Sequence, residues 1–290
     1  MKSLRILLLL LSATIMHNAS AKTIDITLTE AIQQNLVTVT SLSSGQSYNE
    51  NGLSIKIENK GKKALNITID PALVFAPEDT SYQDLIVAGD VKSVIAPSEN
   101  KSITLQTYCG KSYAHGPGKD LIYHFKKQAD SLMIKMLTFA KRRNINAELT
   151  QKAVWVLTNH HSLNDIYDPS NDIASKELVQ FMSRLLSLGM PDYFNYYVLN
   201  KTPEETVVPK KALRIYALFK WEMKEDDKLS LGVYDEKGGV TQQIFEGQLF
   251  KVGGYELNAK FESSNEPAGV YYIRLSSGKG VIKETKVIVE

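Results

Sequence analysis

Residues 52–75 read "GLSIKIENKGKKALNITIDPALVF", and their pattern decides the fold class. Leu53, Ile55 and Ile57 alternate with polar residues; after a break, Leu65, Ile67 and Ile69 alternate again. A period of two puts each apolar set on one face of a strand. Asn59 to Lys62, with Gly61 among them, supply turn chemistry, so the stretch is expected to be a β-hairpin. The same alternation runs outward into "LVTVTSL" at 36–42, "QDLIVAG" at 83–89 and "KSITLQTY" at 101–108, with Pro71, Pro77 and Pro97 in the connections. Regular short strands separated by turn signals predict a β-sandwich over residues 22–111.

The period then changes. Residues 112–200 are expected to form a small three-helix domain. Between Asp120 and Lys141, Leu121, Phe125, Leu132, Met136 and Ala140 recur at helical spacing, and Lys141, Arg142 and Arg143 suit the negative end of a helix dipole. Asn146 is a natural N-cap for a second helix over "AELTQKAVWVLTN" at 147–159. A third is expected to start at Ser175, to bury Leu178, Phe181, Met182 and Leu185, and to stop at Gly189 and Pro191. "NKTPEETVVPKK" at 200–211 has linker composition. Strands return in "KLSLGVYDEKGGVTQQIF" at 228–245, "YELNAKF" at 255–261 and "AGVYYIRLSSGKGVIKETKVIVE" at 268–290, with hairpin turns at Glu236–Gly239 and Ser277–Gly280. The expected class is mostly β with a central helical part.

The chain opens with "MKSLRILLLLLSATIMHNASAKT". Lys2 and Arg5 precede an apolar run at Leu7 to Leu11, and Ala19-Ser20-Ala21 is a small-residue cleavage site. Residues 1–21 are therefore expected to be a secretory signal peptide, which places the protein in the periplasm, on the outer cell surface or outside the cell. No later stretch has the roughly 18 apolar residues of a spanning helix, so no transmembrane segment is expected in the mature chain. A formal charge of +2 and the lack of interleaved basic and aromatic residues argue against a nucleic-acid partner. Cys109 is the only cysteine, which rules out an intramolecular disulfide.

Residues 201–290 are expected to form a separate C-terminal domain, and roughly its last 70 residues carry a resemblance. "LSLGVYDEKGGV" at 229–240, "GGYELNAKF" at 253–261 and the final "AGVYYIRLSSGKGVIKETKVIVE" are similar to the C-terminal immunoglobulin-like sorting domains of Bacteroidota proteins exported by the type IX secretion system. They also resemble the related domain of flagellar hook-capping proteins. The resemblance implies an immunoglobulin-like β-sandwich whose last strand, with Lys286, Val287, Ile288 and Val289, engages the secretion machinery.

A second resemblance concerns Cys109. Tyr108-Cys109, followed by Thr150-Gln151-Lys152-Ala153-Val154-Trp155, is similar to the paired elements of bacterial thioester-domain adhesins. The resemblance implies that the Cys109 sulfur and the Gln151 carboxamide condense to an internal thioester, which then acylates an amine on a target surface. Such a bond needs the two side chains in contact in a site that excludes water. Without that chemistry, the expectation is a buried thiol and a glutamine bonded to neighbouring backbone.

Other chemistry finds less support. His160, His161, Asp165, Asp168 and Asp172 lie in the polar loop "HHSLNDIYDPSND", but their spacing does not match an EF-hand. Calcium through the three aspartates would be the first guess, and no metal or cofactor is assigned. No Gly-x-Ser-x-Gly elbow, phosphate loop or dinucleotide fingerprint occurs, and His115 and His124 have no evident partner set. The reading is thus a secreted, non-enzymatic interaction or adhesion-type protein with a protein or glycan surface partner. A thioester protein acting through Cys109 and Gln151 is the alternative, and a hydrolase is a third.

Overall fold

The computed structural model describes residues 23–45, 51–199, 208–209 and 211–290. The expected signal peptide and most of the expected linker lie outside the described residues. The described chain is mostly β with a central group of helices, and no helix in it is long and apolar enough to cross a membrane.

Two sheets enclose the first core. Strands β1 (Ile24–Thr27), β4 (Leu65–Ile69) and β7 (Val91–Ile95) form a three-stranded sheet in the order β1-β4-β7. The second sheet contains β2 (Val37–Ser44), β3 (Leu53–Asn59), β5 (Leu73–Pro77), β6 (Leu85–Val87), β8 (Asn100–Leu105), β9 (Thr107–Cys109) and β10 (Lys119–Gln128). Its order is β8-β3-β2-β10-β5-β6-β9. A short helix, α1 (Leu28–Gln33), follows β1 behind a capping box of Thr27 and Glu30.

The expected hairpin at 52–75 is corrected. β3 pairs with β2 and β8, whereas β4 pairs with β1 and β7. The Lys60–Ala64 segment therefore crosses from one sheet to the other. Leu53, Ile55, Ile57, Leu65, Ile67 and Ile69 all enter the same core from opposite sides. Alternation correctly gave the buried faces, but a hairpin and a crossover use the same turn residues. Asn59 fixes the crossover: fully buried, its Nδ2 reaches the carbonyls of Lys63 (2.9 Å), Ile95 (3.2 Å) and Ala96 (3.1 Å). Its Oδ1 accepts the Gly61 N–H at 2.9 Å.

The helices α2 (Ser131–Arg142), α3 (Ala147–Asn159) and α4 (Asp172–Leu186) pack on the other face of the second sheet. Period two explains how. In β5, Leu73 and Phe75 face the inner core and Val74 faces the helices; in β6, Leu85 and Val87 face inward and Ile86 outward. β5, β6 and β9 are consequently covered on both faces.

Two helix expectations are also corrected. Residues 119–128 form β10, and α2 starts only at Ser131, capped by Asp130, which accepts from the N–H groups of Leu132 and Met133. Leu121 and Phe125 lie four apart, a spacing that suits both periods. α4 starts at Asp172, before Ser175, whose buried hydroxyl instead accepts the Asp168 N–H at 3.0 Å. It ends at Ser187, left-handed at φ 55°, ahead of Gly189.

The last region contains a three-stranded sheet, β11 (Tyr193–Tyr196), β12 (Arg214–Met223) and β15 (Gly253–Phe261), in the order β11-β12-β15. A four-stranded sheet joins β14 (Val240–Phe250), β13 (Asp227–Asp235), β16 (Gly269–Ser277) and β17 (Gly280–Val289) in that order. Phe219, Phe261, Leu231, Ile273 and Val287 fill the core they share. Both expected hairpins form, with Gly238 at φ 86° and Gly280 at φ 127°. β11 precedes the linker, so this sheet takes a strand from before the boundary expected at 201.

Candidate functional site

Cys109 ends β9, the edge strand of the seven-stranded sheet, opposite Leu85 of β6. All three residues of β9 are buried, and Tyr108 and Cys109 enter the core that the sheet shares with α3. Gly110 follows at a point of close approach: a Cβ there would meet Asp84 Cβ at 3.2 Å and its carbonyl oxygen at 3.3 Å. The Gly110 N–H bonds that same carbonyl at 2.7 Å.

Gln151 lies on the second turn of α3. Asn146 caps the helix as expected, its Oδ1 accepting the Leu149 N–H at 2.9 Å. Residues Leu149 to Val156 are all buried, so α3 is the central helix of its group. A glutamine there must find partners inside the protein. It finds both on one residue. The Cys109 N–H donates to Gln151 Oε1 at 2.8 Å, and Gln151 Nε2 donates to the Cys109 carbonyl at 2.8 Å. Both residues are 0% exposed. The neighbouring pair repeats the contact: Tyr108, whose ionisation burial disfavours, hydrogen-bonds Thr150.

The two sequence elements therefore meet, 42 residues apart in the chain, through the Gln151 side chain and the Cys109 backbone, the backbone-bonded glutamine that was expected in the absence of thioester chemistry. The two-point pairing fixes the plane of the Gln151 carboxamide against the Cys109 backbone. It also places a backbone N–H on the carbonyl oxygen, where charge would develop if a nucleophile attacked the carboxamide carbon. Two cavities flank the pair. One, of about 390 Å³, is lined by Tyr108 and Thr150; the other, of about 400 Å³, by Gly110 and Lys111.

The rest of α3 is fastened as tightly. Lys152 is 3% exposed; its Nζ donates to the Tyr167 carbonyl at 2.8 Å and lies 3.2 Å from Glu148. Burial lowers its pKa, against the opposing pull of Glu148. Asn159 at the end of α3 accepts the Ser112 N–H at 2.9 Å. The segment from Cys109 to Ser112 is thus tied to both ends of α3.

The remaining site expectations fall elsewhere. Lys286, Val287, Ile288 and Val289 lie in β17, an edge strand, with Val287 and Val289 in the core and Lys286 and Ile288 facing out. The three loop aspartates are engaged separately. Asp165 accepts from Asn195, Asp168 from Asn171 and the Ser170 N–H, and Asp172 from Tyr167 and Lys176. Among the described residues no cluster of histidine, cysteine or acidic side chains could hold a metal ion. His124 pairs with Glu78 at the surface. The sequence reading missed the meeting of His161 with Ser112; no local motif announces it.

No protein-family model and no curated protein matches this chain.

Proposed function

We propose that this is an exported adhesion-type protein that bonds covalently to surface amines through a thioester between Cys109 and Gln151. The observation that carries the reading is the double hydrogen bond between the Gln151 carboxamide and the Cys109 backbone in a fully buried setting. The Cys109 sulfur attacks the Gln151 carboxamide carbon, the thiol proton passes to the amide nitrogen, and ammonia leaves. A target amine then attacks the thioester carbonyl, forming an amide at Gln151 and returning the Cys109 thiol. The Cys109 N–H stabilises the oxyanion in both steps, and burial keeps water from hydrolysing the thioester.

The test is incorporation of a fluorescent primary amine into the purified mature protein. The label should map to Gln151 in peptide digests and be lost in Cys109→Ser. An amine that fails to attach, or attaches in both proteins alike, overturns the reading.

In the same account the first two sheets are a β-sandwich and the C-terminal region is an immunoglobulin-like module that delivers the protein to the cell surface. The outward pair Lys286 and Ile288 on an edge strand supports it, since their side chains are available to a partner while Val287 and Val289 hold the fold. Replacing Lys286 and Ile288 by serine should leave thermal stability near wild type and trap the protein in the periplasm. Undiminished surface delivery would contradict the sorting role.

A further inference from the structure

Ser112, His161 and Asp165 form a second constellation, which the thioester does not use. His161 Nε2 lies 2.8 Å from Ser112 Oγ. His161 Nδ1 faces Asp165 Oδ2 at 3.8 Å. The carboxylate is held in turn: Oδ1 accepts from Asn195 Nδ2 at 2.9 Å and Oδ2 from the Ser162 N–H at 3.2 Å. His160 takes a left-handed conformation at φ 57° as the C-cap of α3. That turn brings His161 back over the Trp155 ring, with centroids 5.9 Å apart. Ser112 is held from the other side by its N–H bond to Asn159.

These groups line a cavity of about 570 Å³ between the helices and the C-terminal sheets, a size suited to small organic ligands. Tyr193, Tyr197 and Ile288 supply apolar wall, and the Glu290 carboxylate shares it. Asn195 is 9% exposed and its Oδ1 has no hydrogen-bond partner, a buried acceptor in the wall that calls for a donor from the cavity. Burial lowers the pKa of His161 despite the opposing pull of Asp165 and Glu290, so the ring is neutral at pH 7 and able to accept a proton.

We propose that Ser112 is the nucleophile of an ester-hydrolysing site in which His161 is the general base and Asp165 the positioning residue. With Nδ1–H directed at Asp165, Nε2 takes the Ser112 proton as Oγ attacks the ester carbonyl. His161 then protonates the departing alcohol, leaving an acyl group on Ser112. Water attacks the acyl group, its proton passes to His161, and Ser112 Oγ recovers a proton as the carboxylic acid leaves. The substrate class is a neutral carboxylic ester: Asp165 and Glu290 repel anions, and an alcohol departs with less assistance than an amine. The site stands independently of the thioester.

The test treats the mature full chain with a fluorophosphonate and, separately, with p-nitrophenyl acetate. A single phosphonyl adduct should map to Ser112 in wild type. Ester hydrolysis should fall about 10²-fold or more in Ser112→Ala and His161→Gln. Asp165→Asn should lower kcat while leaving KM unchanged, a split that a merely structural role would not give. The wild-type adduct needs no variant to fold. An unmodified protein, an adduct on another residue, or hydrolysis unchanged in Ser112→Ala overturns the proposal.

Discussion

Gln151→Ala should lose amine capture altogether and lower the denaturation midpoint substantially. The side chain is fully buried and carries both hydrogen bonds of the Cys109 backbone. In the unreacted protein truncation strands one N–H and one C=O in an interior that water does not reach; in the thioester form, which has lost the amide nitrogen, it strands the N–H and removes the cross-link between β9 and α3. Each such orphan costs about 1–3 kcal/mol. The void left between β9 and α3 adds to that. Urea denaturation followed by tryptophan fluorescence reads the change. A midpoint equal to wild type would mean that Gln151 and Cys109 do not pair in solution.

Trp155→Ala should destabilise more, by about 3–5 kcal/mol, the range for truncating a large aromatic in a core. Trp155 is 1% exposed and lies among Met133, Leu149, Val154 and Leu178, where α2, α3, α4 and the seven-stranded sheet meet. Against a typical total of about 5–15 kcal/mol, that is a large share. Trp155→Phe should cost less. It keeps an aromatic ring and removes an indole N–H that has no partner inside the protein. Thermal unfolding of the two variants gives the comparison. A Phe variant as damaged as the Ala variant would show that the indole N–H matters in a way its buried, unpaired state does not explain.

Much of the fold was legible because strand faces follow from local alternation. Leu53, Ile55 and Ile57 are buried as their spacing requires, and so are Tyr271, Ile273 and Leu275. Local chemistry also located the Asn146 cap and the hairpins at Glu236–Gly239 and Ser277–Gly280. What local chemistry does not encode is which sheet a strand joins. β3 and β4 separate because Asn59 grips carbonyls of Ile95 and Ala96, a partner set more than 30 residues away. In β10, Leu121 and Phe125 satisfy both periods, and only pairing with β2 and β5 selects the strand. The meeting of Cys109 and Gln151 was legible through the resemblance of the two motifs to thioester-domain adhesins, but the bonds run to the Cys109 backbone, which residue type does not encode. The Ser112–His161 contact was not, because it depends on a left-handed turn at His160, a conformation that no local motif in the sequence specifies.

The most direct test of the Cys109–Gln151 bond is the intact mass of the mature protein, purified under native conditions without amine buffers. The account predicts a mass below the sequence value by one ammonia, rising by one methylamine after methylamine treatment and exposing one titratable thiol. A protein at full sequence mass, with its thiol already titratable on unfolding and no change on methylamine treatment, would contradict it.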